Sequence, residues 1–193
     1  FSADDVLLHA LPVFHVHGLF IATHCALLAG ARIQLLPRFD APTVLALLPR
    51  STVLMGVPTH YTRLLEDAHL DRDTAAAMRL FLCGSAPLLP ATFEAFARRT
   101  GQRILERYGM SEAGMITSNP YDGERLAGSV GFALPDVQVR VASPEGGELP
   151  RGAVGVLEIR GPNLFKGYWR MPEKTAEEFR AGGWFVTGDV ATM

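Results

Sequence analysis

Residues 80–108 read Leu80-Phe81-Leu82-Cys83-Gly84-Ser85-Ala86-Pro87-Leu88-Leu89-Pro90-Ala91-Thr92-Phe93-Glu94-Ala95-Phe96-Ala97-Arg98-Arg99-Thr100-Gly101-Gln102-Arg103-Ile104-Leu105-Glu106-Arg107-Tyr108. The apolar run 80–83 is bounded by a Gly-Ser-Ala-Pro turn and reads as a strand. Residues 90–100 are amphipathic, with Phe93, Phe96 and Ala97 on one face, and Gly101 stops the helix. Residues 103–108 form a further strand. Strands separated by a helix of this length indicate a βαβ unit and a parallel sheet. In such a sheet ligands sit outside the carboxyl ends of the strands.

The same alternation extends upstream. Residues 6–10 read as a strand ended by Pro12, and residues 18–28 as a buried helix closed by Gly30. A strand is expected at 32–36, then a helix capped by Asp40 with Pro42 in its first turn. Another strand covers 52–55, and Pro58 opens a helix to about residue 68. Three loops then fall at carboxyl ends of strands: 58–63, 84–87 and 108–112. The texture changes near Asn119. Residues 126–161 are rich in Gly, Pro and Val, with alternating runs at 137–141 and 154–160 and a turn at Glu145-Gly146-Gly147-Glu148. These read as antiparallel strands. A short helix at 172–180 and a strand at 184–186 follow. The expected fold class is α/β: a parallel sheet flanked by helices over 1–125, then a smaller antiparallel, β-barrel-like subdomain over 126–193.

Composition narrows the function classes. The chain has 193 residues, 48% hydrophobic and 20% charged, with net charge −2. That balance suits a globular protein with a sizeable core. It gives no electrostatic footprint for nucleic acid or a membrane surface. Two cysteines, Cys25 and Cys83, make no disulfide framework, and a cytoplasmic location is expected. The chain opens without Met at Phe1 and stops shortly after Asp189, so a central piece of a longer protein is expected.

Several loops could carry chemistry. At Tyr108-Gly109-Met110-Ser111-Glu112 a hydroxyl and a carboxylate follow a strand's end and could hold Mg²⁺ and phosphate oxygens; Gly-x-Ser-Glu also fits a helix N-cap. Gly84-Ser85-Ala86-Pro87 would let backbone approach a ligand closely, or serve as an ordinary βα turn. Asp189, in Thr187-Gly188-Asp189, could accept from ribose hydroxyls or close an Asx turn. His15 and His17 form a His-x-His pair without a nearby carboxylate or cysteine, so a His lining a pocket fits better than a zinc site. His9, His24, His60 and His69 read as structural or solvated. Arg63 shares a helix face with Thr59 and His60 near a helix N-terminus, where it could grip a carboxylate; a solvated surface Arg is the plainer reading.

The order of these weak signals is specific. Residues 11–18, Gly56-Val57-Pro58-Thr59, Gly84-Ser85-Ala86-Pro87, 106–112, 152–168 and 184–189 resemble the consecutive core motifs of the acyl-CoA synthetase, peptide-synthetase adenylation and luciferase superfamily. Residues 167–175 and 119–123 look similar to bacterial malonyl-CoA synthetases. The resemblance implies ATP-dependent activation of malonate or methylmalonate to the acyl adenylate, then transfer to CoA with release of AMP. It implies that Gly84, Ala86 and Pro87 border the adenine, with Glu106, Arg107, Tyr108, Gly109 and Met110 completing the nucleotide site. Ser111, where the family has Thr, would contact phosphate, Glu112 would hold Mg²⁺, and Asp189 the ribose. His15 would line the acyl pocket, and Arg63 and Ser85 would bind the distal carboxylate. An upstream phosphate loop and a downstream C-terminal domain with a catalytic Lys would lie outside the chain, leaving it inactive alone. Alternatives are another acyl-CoA ligase, a non-catalytic nucleotide-binding relic, or a zinc hydrolase built on His15 and His17.

Overall fold

Two strands with no exposed position carry the larger sheet: β3 (Val53–Gly56) and β4 (Leu80–Cys83) are buried throughout. A strand that must bury both faces needs apolar residues at every position, hence the unbroken runs. The computed structural model describes all residues, Phe1–Met193. It divides into two compact units, Phe1–Phe132 and Ala133–Met193.

In the first unit a seven-stranded sheet has the order β2-β1-β3-β4-β5-β6-β7. β1 is Val6–His9, β2 Arg32–Leu35, β5 Leu105–Met110, β6 Gly114–Ser118 and β7 Phe132–Ala133. β1 pairs in parallel with β2 and β3, β3 with β4, and β4 with β5. β6 pairs antiparallel with β5. The alternation of side chains splits the core in two. Leu8, Leu54, Phe81 and Cys83 join Tyr61, Leu64, Phe93 and Phe96 in one cluster. Leu7, Val53, Met55, Leu80 and Leu82 join Ala22 and Ala26 in the other. Helices α2 (Ala41–Leu47), α3 (Pro58–Glu66) and α4 (Pro90–Thr100) supply the first cluster. A π-helix, His17–His24, running into α1 (Cys25–Leu28), supplies the second.

Local signals set the helix ends. The Asp40 carboxylate accepts from the Thr43 backbone N–H at 3.0 Å, the cap expected of it. Gly101 ends α4 with φ 76°, a conformation that suits glycine. α4 packs through Phe96, whose ring meets Phe81 at 4.9 Å and Tyr61 at 5.3 Å, both edge-on. Truncating such a ring to Ala costs about 3–5 kcal/mol.

Three expectations change in the first unit. α3 stops at Glu66, because Asp67 adopts an extended backbone and its carboxylate takes the His69 N–H at 2.9 Å. β5 does not end at Tyr108: it continues to Met110 and turns into β6. The helix N-cap reading of Ser111 is therefore wrong; Ser111 lies in a hairpin turn closed by the Ala113 N–H donating to the Met110 carbonyl at 3.3 Å.

The second unit is a four-stranded antiparallel sheet of order β10-β11-β9-β8. β8 is Gln138–Ala142, β9 Gly155–Arg160, β10 Phe179–Arg180 and β11 Trp184–Ala191. The short helix α5 spans Pro172–Glu178, and the last two residues expected in it form β10 instead. β11 runs on through Thr187-Gly188-Asp189 with an irregularity against β9 between Val186 and Val190. One face packs Phe165, Phe179 and Phe185. The other buries Glu158 completely, ion-paired to Arg140 at 2.6 Å and Arg180 at 2.5 Å. No helix is long and apolar enough to cross a membrane.

Candidate active site

The chain leaves β1 for β2 on one side and returns to β3 on the other, so the direction of winding reverses between β1 and β3. Open α/β sheets bind ligands in the crevice at such a reversal, outside the carboxyl ends. The segment after β1 brings His17 there, α3 after β3 brings His60 and Arg63, and the turn after β4 brings Ser85.

His17 and Ser85 are in contact, and His60 lies within electrostatic reach of His17 and Arg63. His17 is buried, and its Nδ1 lies 3.0 Å from Ser85 Oγ. Burial, helped by His9 and Arg107, pushes the His17 imidazole down to about 4. His60 is buried and stacked on Phe39 at 3.9 Å. Burial, with the charges of Arg63 and His17, pushes it also to about 4. Both imidazoles are neutral at neutral pH, and His17 Nε2 and His60 Nδ1 have no hydrogen-bond partner. Arg63 is exposed on the face of α3 that approaches His60. Arg107 is a second cation here; burial lowers its pKa, and its Nε donates to Ser118 Oγ at 2.9 Å.

Backbone shape serves the same place. Gly84 is buried, and a Cβ there would meet the His17 ring at 3.5 Å and the Arg107 carbonyl at 3.5 Å. Ser85 has φ +69°, which for a non-glycine residue needs support from its surroundings. Gly109 lets the β5–β6 hairpin close: a Cβ there would lie 2.3 Å from the Gly114 carbonyl oxygen. A cavity of about 20 Å³ opens among Val16, His17, Ile21, Ser85, Gly109, Gly114 and Met115. It brings the Ser85 turn and the Tyr108-to-Glu112 hairpin to one spot.

The other candidates take varied places. Ala86 and Pro87 are exposed beside Ser85. The Glu106 carboxyl is buried and accepts from the Leu88 N–H at 3.0 Å, anchoring the 84–89 turn; burial raises its pKa. Tyr108 and Met110 are half-buried in β5, Ser111 is exposed and Glu112 half-buried at the hairpin turn. No three His, Cys, Asp or Glu side chains gather as a metal site. A Mg²⁺ at Glu112 would share its shell with phosphate oxygens, which is how Mg²⁺ is ordinarily held at such sites. Asp189, in the second unit, is exposed, and its N–H donates to Thr187 Oγ at 3.1 Å. His15 is exposed with its ring 4.7 Å from Phe14. In the sequence His17 stands only as half of the His-x-His pair, with His15 taken for the acyl pocket, and His60 reads as structural or solvated. The available signal for His17 was its place at the start of a buried helix, whereas His15 lies in a Pro-bounded loop.

The chain matches the family described as "AMP-binding enzyme" over residues 1–169. The crystal structure of ATP-bound MatB from Rhodopseudomonas palustris superposes with TM-score 0.99 at 56% identity, over 100% of this chain and 39% of that one. A malonyl-CoA ligase solved as a ternary product complex with methylmalonyl-CoA and AMP gives TM-score 0.90 at 41% identity, over 100% of this chain and 42% of that one. Human mitochondrial malonate–CoA ligase ACSF3 is 39% identical over 100% of this chain and 40% of its own length. The chain thus spans about two fifths of these proteins, and with the sheet order, hairpin and loops described above it belongs to the AMP-binding, adenylate-forming enzyme family.

Proposed function

We propose that the full-length protein containing this chain is a malonate–CoA ligase, acting on malonate or methylmalonate. One carboxylate oxygen attacks the α-phosphorus of ATP and pyrophosphate leaves. The CoA thiolate, its proton lost to solvent, then attacks the acyl adenylate carbonyl, the thioester C–S bond forms, and AMP leaves with the electron pair of the broken C–O bond.

The observation that carries the substrate class is Arg63. It is a cation at the carboxyl end of β3, near the His60 imidazole, which burial holds neutral. A dicarboxylate's far end needs such a partner, because an unpaired carboxylate is costly to desolvate. Ser85 Oγ supplies a hydrogen bond to the same carboxylate. Neutral His17 and His60 add no competing charge, so the reacting carboxylate stays free to attack. The malonate–CoA ligases among the relatives support the same reading.

For the nucleotide, Gly84, Ala86 and Pro87 border adenine, with Glu106 fixing that turn through Leu88 and Arg107, Tyr108, Gly109 and Met110 continuing the wall. Ser111 donates to phosphate, Asp189 accepts from ribose, and His15 lies at the mouth of the acyl site. A Mg²⁺ on Glu112 and phosphate oxygens would neutralise charge on the departing pyrophosphate. The free thiols Cys25 and Cys83 suit a reducing compartment such as the cytoplasm.

The test is ATP–pyrophosphate exchange by the full-length protein with malonate, methylmalonate, propionate and a medium-chain acid. Exchange fastest with the dicarboxylates is expected. Equal or faster exchange with a monocarboxylate would reassign the protein to another acyl-CoA ligase activity.

A further inference from the structure

Two uncommon backbone conformations meet at one hydrogen bond. His17 opens a π-helix, a geometry that recurs at functional sites. Ser85 sits at φ +69°. β1 already ends at His9 and β4 at Cys83, so the sheet needs neither conformation. Their shared product is the 3.0 Å contact between His17 Nδ1 and Ser85 Oγ.

The proton count at that contact has consequences. A neutral imidazole has one N–H, and a serine hydroxyl has one proton. His17 is 5% exposed, and its Nε2 meets no hydrogen-bonding atom. A proton on Nε2 would be a buried, orphaned N–H donor, and Nδ1 would then consume the Ser85 hydroxyl proton. Orphaned buried N–H groups are rare. A proton on Nδ1 removes the orphan donor and reverses the bond: Nδ1–H donates to Oγ, and the hydroxyl proton is left for an acceptor elsewhere. The cavity beside Ser85 receives that acceptor.

We propose that His17 is a positioning residue for substrate binding: held as the Nδ1–H tautomer, it donates to Ser85 Oγ and so directs the Ser85 hydroxyl proton at a carboxylate oxygen of the acid substrate. This rests on the reading of Ser85 as a carboxylate ligand. His17 makes its hydrogen bond to Ser85 rather than to the substrate; it sets the direction of the donor that binds the acid. Its effect belongs in KM for the acid, with kcat little changed.

The experiment uses the full-length enzyme. Ser85→Ala and His17→Leu are each expected to raise KM for malonate about tenfold, the effect of one hydrogen bond to a charged group. If His17 acts through Ser85, the double variant is no worse than Ser85→Ala alone. Multiplying effects in the double variant, or an unchanged KM in His17→Leu, overturn the proposal. His17→Asn carries an amide N–H near the Nδ1 position, and His17→Gln carries one near Nε2. Asn is expected to restore KM to within about threefold of the starting enzyme, and Gln is not. Equal rescue by both would mean that burial of a polar group is all that matters, and the proposal fails. These two also decide the matter if His17→Leu does not fold. Nitrogen-15 spectra of histidine-labelled enzyme without substrate are expected to show His17 protonated on Nδ1; protonation on Nε2 overturns the tautomer. That measurement is independent of substrate. Should the enzyme prefer a monocarboxylate, the dicarboxylate reading falls, while tautomer and coupling to Ser85 are still read with the preferred acid.

Discussion

The two units treat charge in opposite ways. In the second unit the carboxylate of Glu158 has no exposure and faces two guanidiniums, Arg140 and Arg180. Arg140 and Arg160 in turn lie over the Trp184 ring at 4.3 and 4.8 Å. In the first unit Arg63, Arg107, His17 and His60 gather at the sheet's carboxyl ends and form no ion pair. Elsewhere in that unit the buried Asp5 carboxylate is paired with Arg79 and held well below the usual carboxylate range. The difference teaches where a ligand belongs. Charge buried to hold the fold is paired within the protein, whereas Arg63, exposed near His60, forms no ion pair and is the cation open to a ligand.

The contrast can be broken first at Glu158. Glu158→Gln leaves Arg140 and Arg180 facing a neutral group and is expected to cost about 3–4 kcal/mol of stability, read from urea unfolding. Replacing all three by apolar residues of similar size should restore much of that. If Glu158→Gln is neutral, the triad is not structural and the comparison collapses.

Arg63→Met should do the reverse. The urea midpoint stays where it was, and kcat/KM for malonate falls about 100-fold, the loss of a charge-assisted contact. Propionate turnover is expected to hold or improve. Unchanged malonate turnover would sink the dicarboxylate reading.

Acid sharpens the comparison within the first unit. His17 and His60 titrate at about 4 in the fold against an ordinary 6.5. Below pH 6.5 the unfolded chain binds protons that the folded chain does not, so stability is complete above 6.5, falls with pH and levels off below 4. Between pH 7.5 and 5 each imidazole accounts for about 2 kcal/mol. His60→Phe keeps a ring against Phe39 and should remove its share of the slope.

The smallest effect expected is at Gly101. Gly101→Ala forces a Cβ into φ 76° with only Arg72 nearby, costing about 1 kcal/mol without touching KM. A change in KM there would mean that stability and binding are not separable in this unit.

Much of the fold was legible because it is written locally. The 80–83 strand, the Asp40 cap and the Gly101 stop each depend on a few adjacent residues. The hairpin at Tyr108 to Glu112 was not, because Gly-x-Ser-Glu suits a helix start and a tight turn equally, and the choice falls to Gly109 accepting β6 at close range. The strand through Asp189 was hidden for a similar reason: Gly188, at φ +78°, reads as a strand's end until β9 is seen pairing on both sides of it. For the candidate site, the sequence pointed to Arg63 and Ser85; His60, read there as structural or solvated, is buried against Phe39 and also feels the charges of Arg63 and His17.

By itself, the sequence determined the alternation of elements, the α/β class and the order of the candidate ligand loops. Hydrophobic period and turn chemistry are properties of neighbouring residues, and they survive without a fold. Only the tertiary structure decided which side chains share a charge environment. His17 and Ser85 stand 68 positions apart, as do Asp5 and Arg79 at 74. Their meeting depends on sheet register and on where the winding reverses. Burial then does what no local pattern can specify: it strips the two imidazoles of their charge, while Arg63 stays exposed near His60 as a cation.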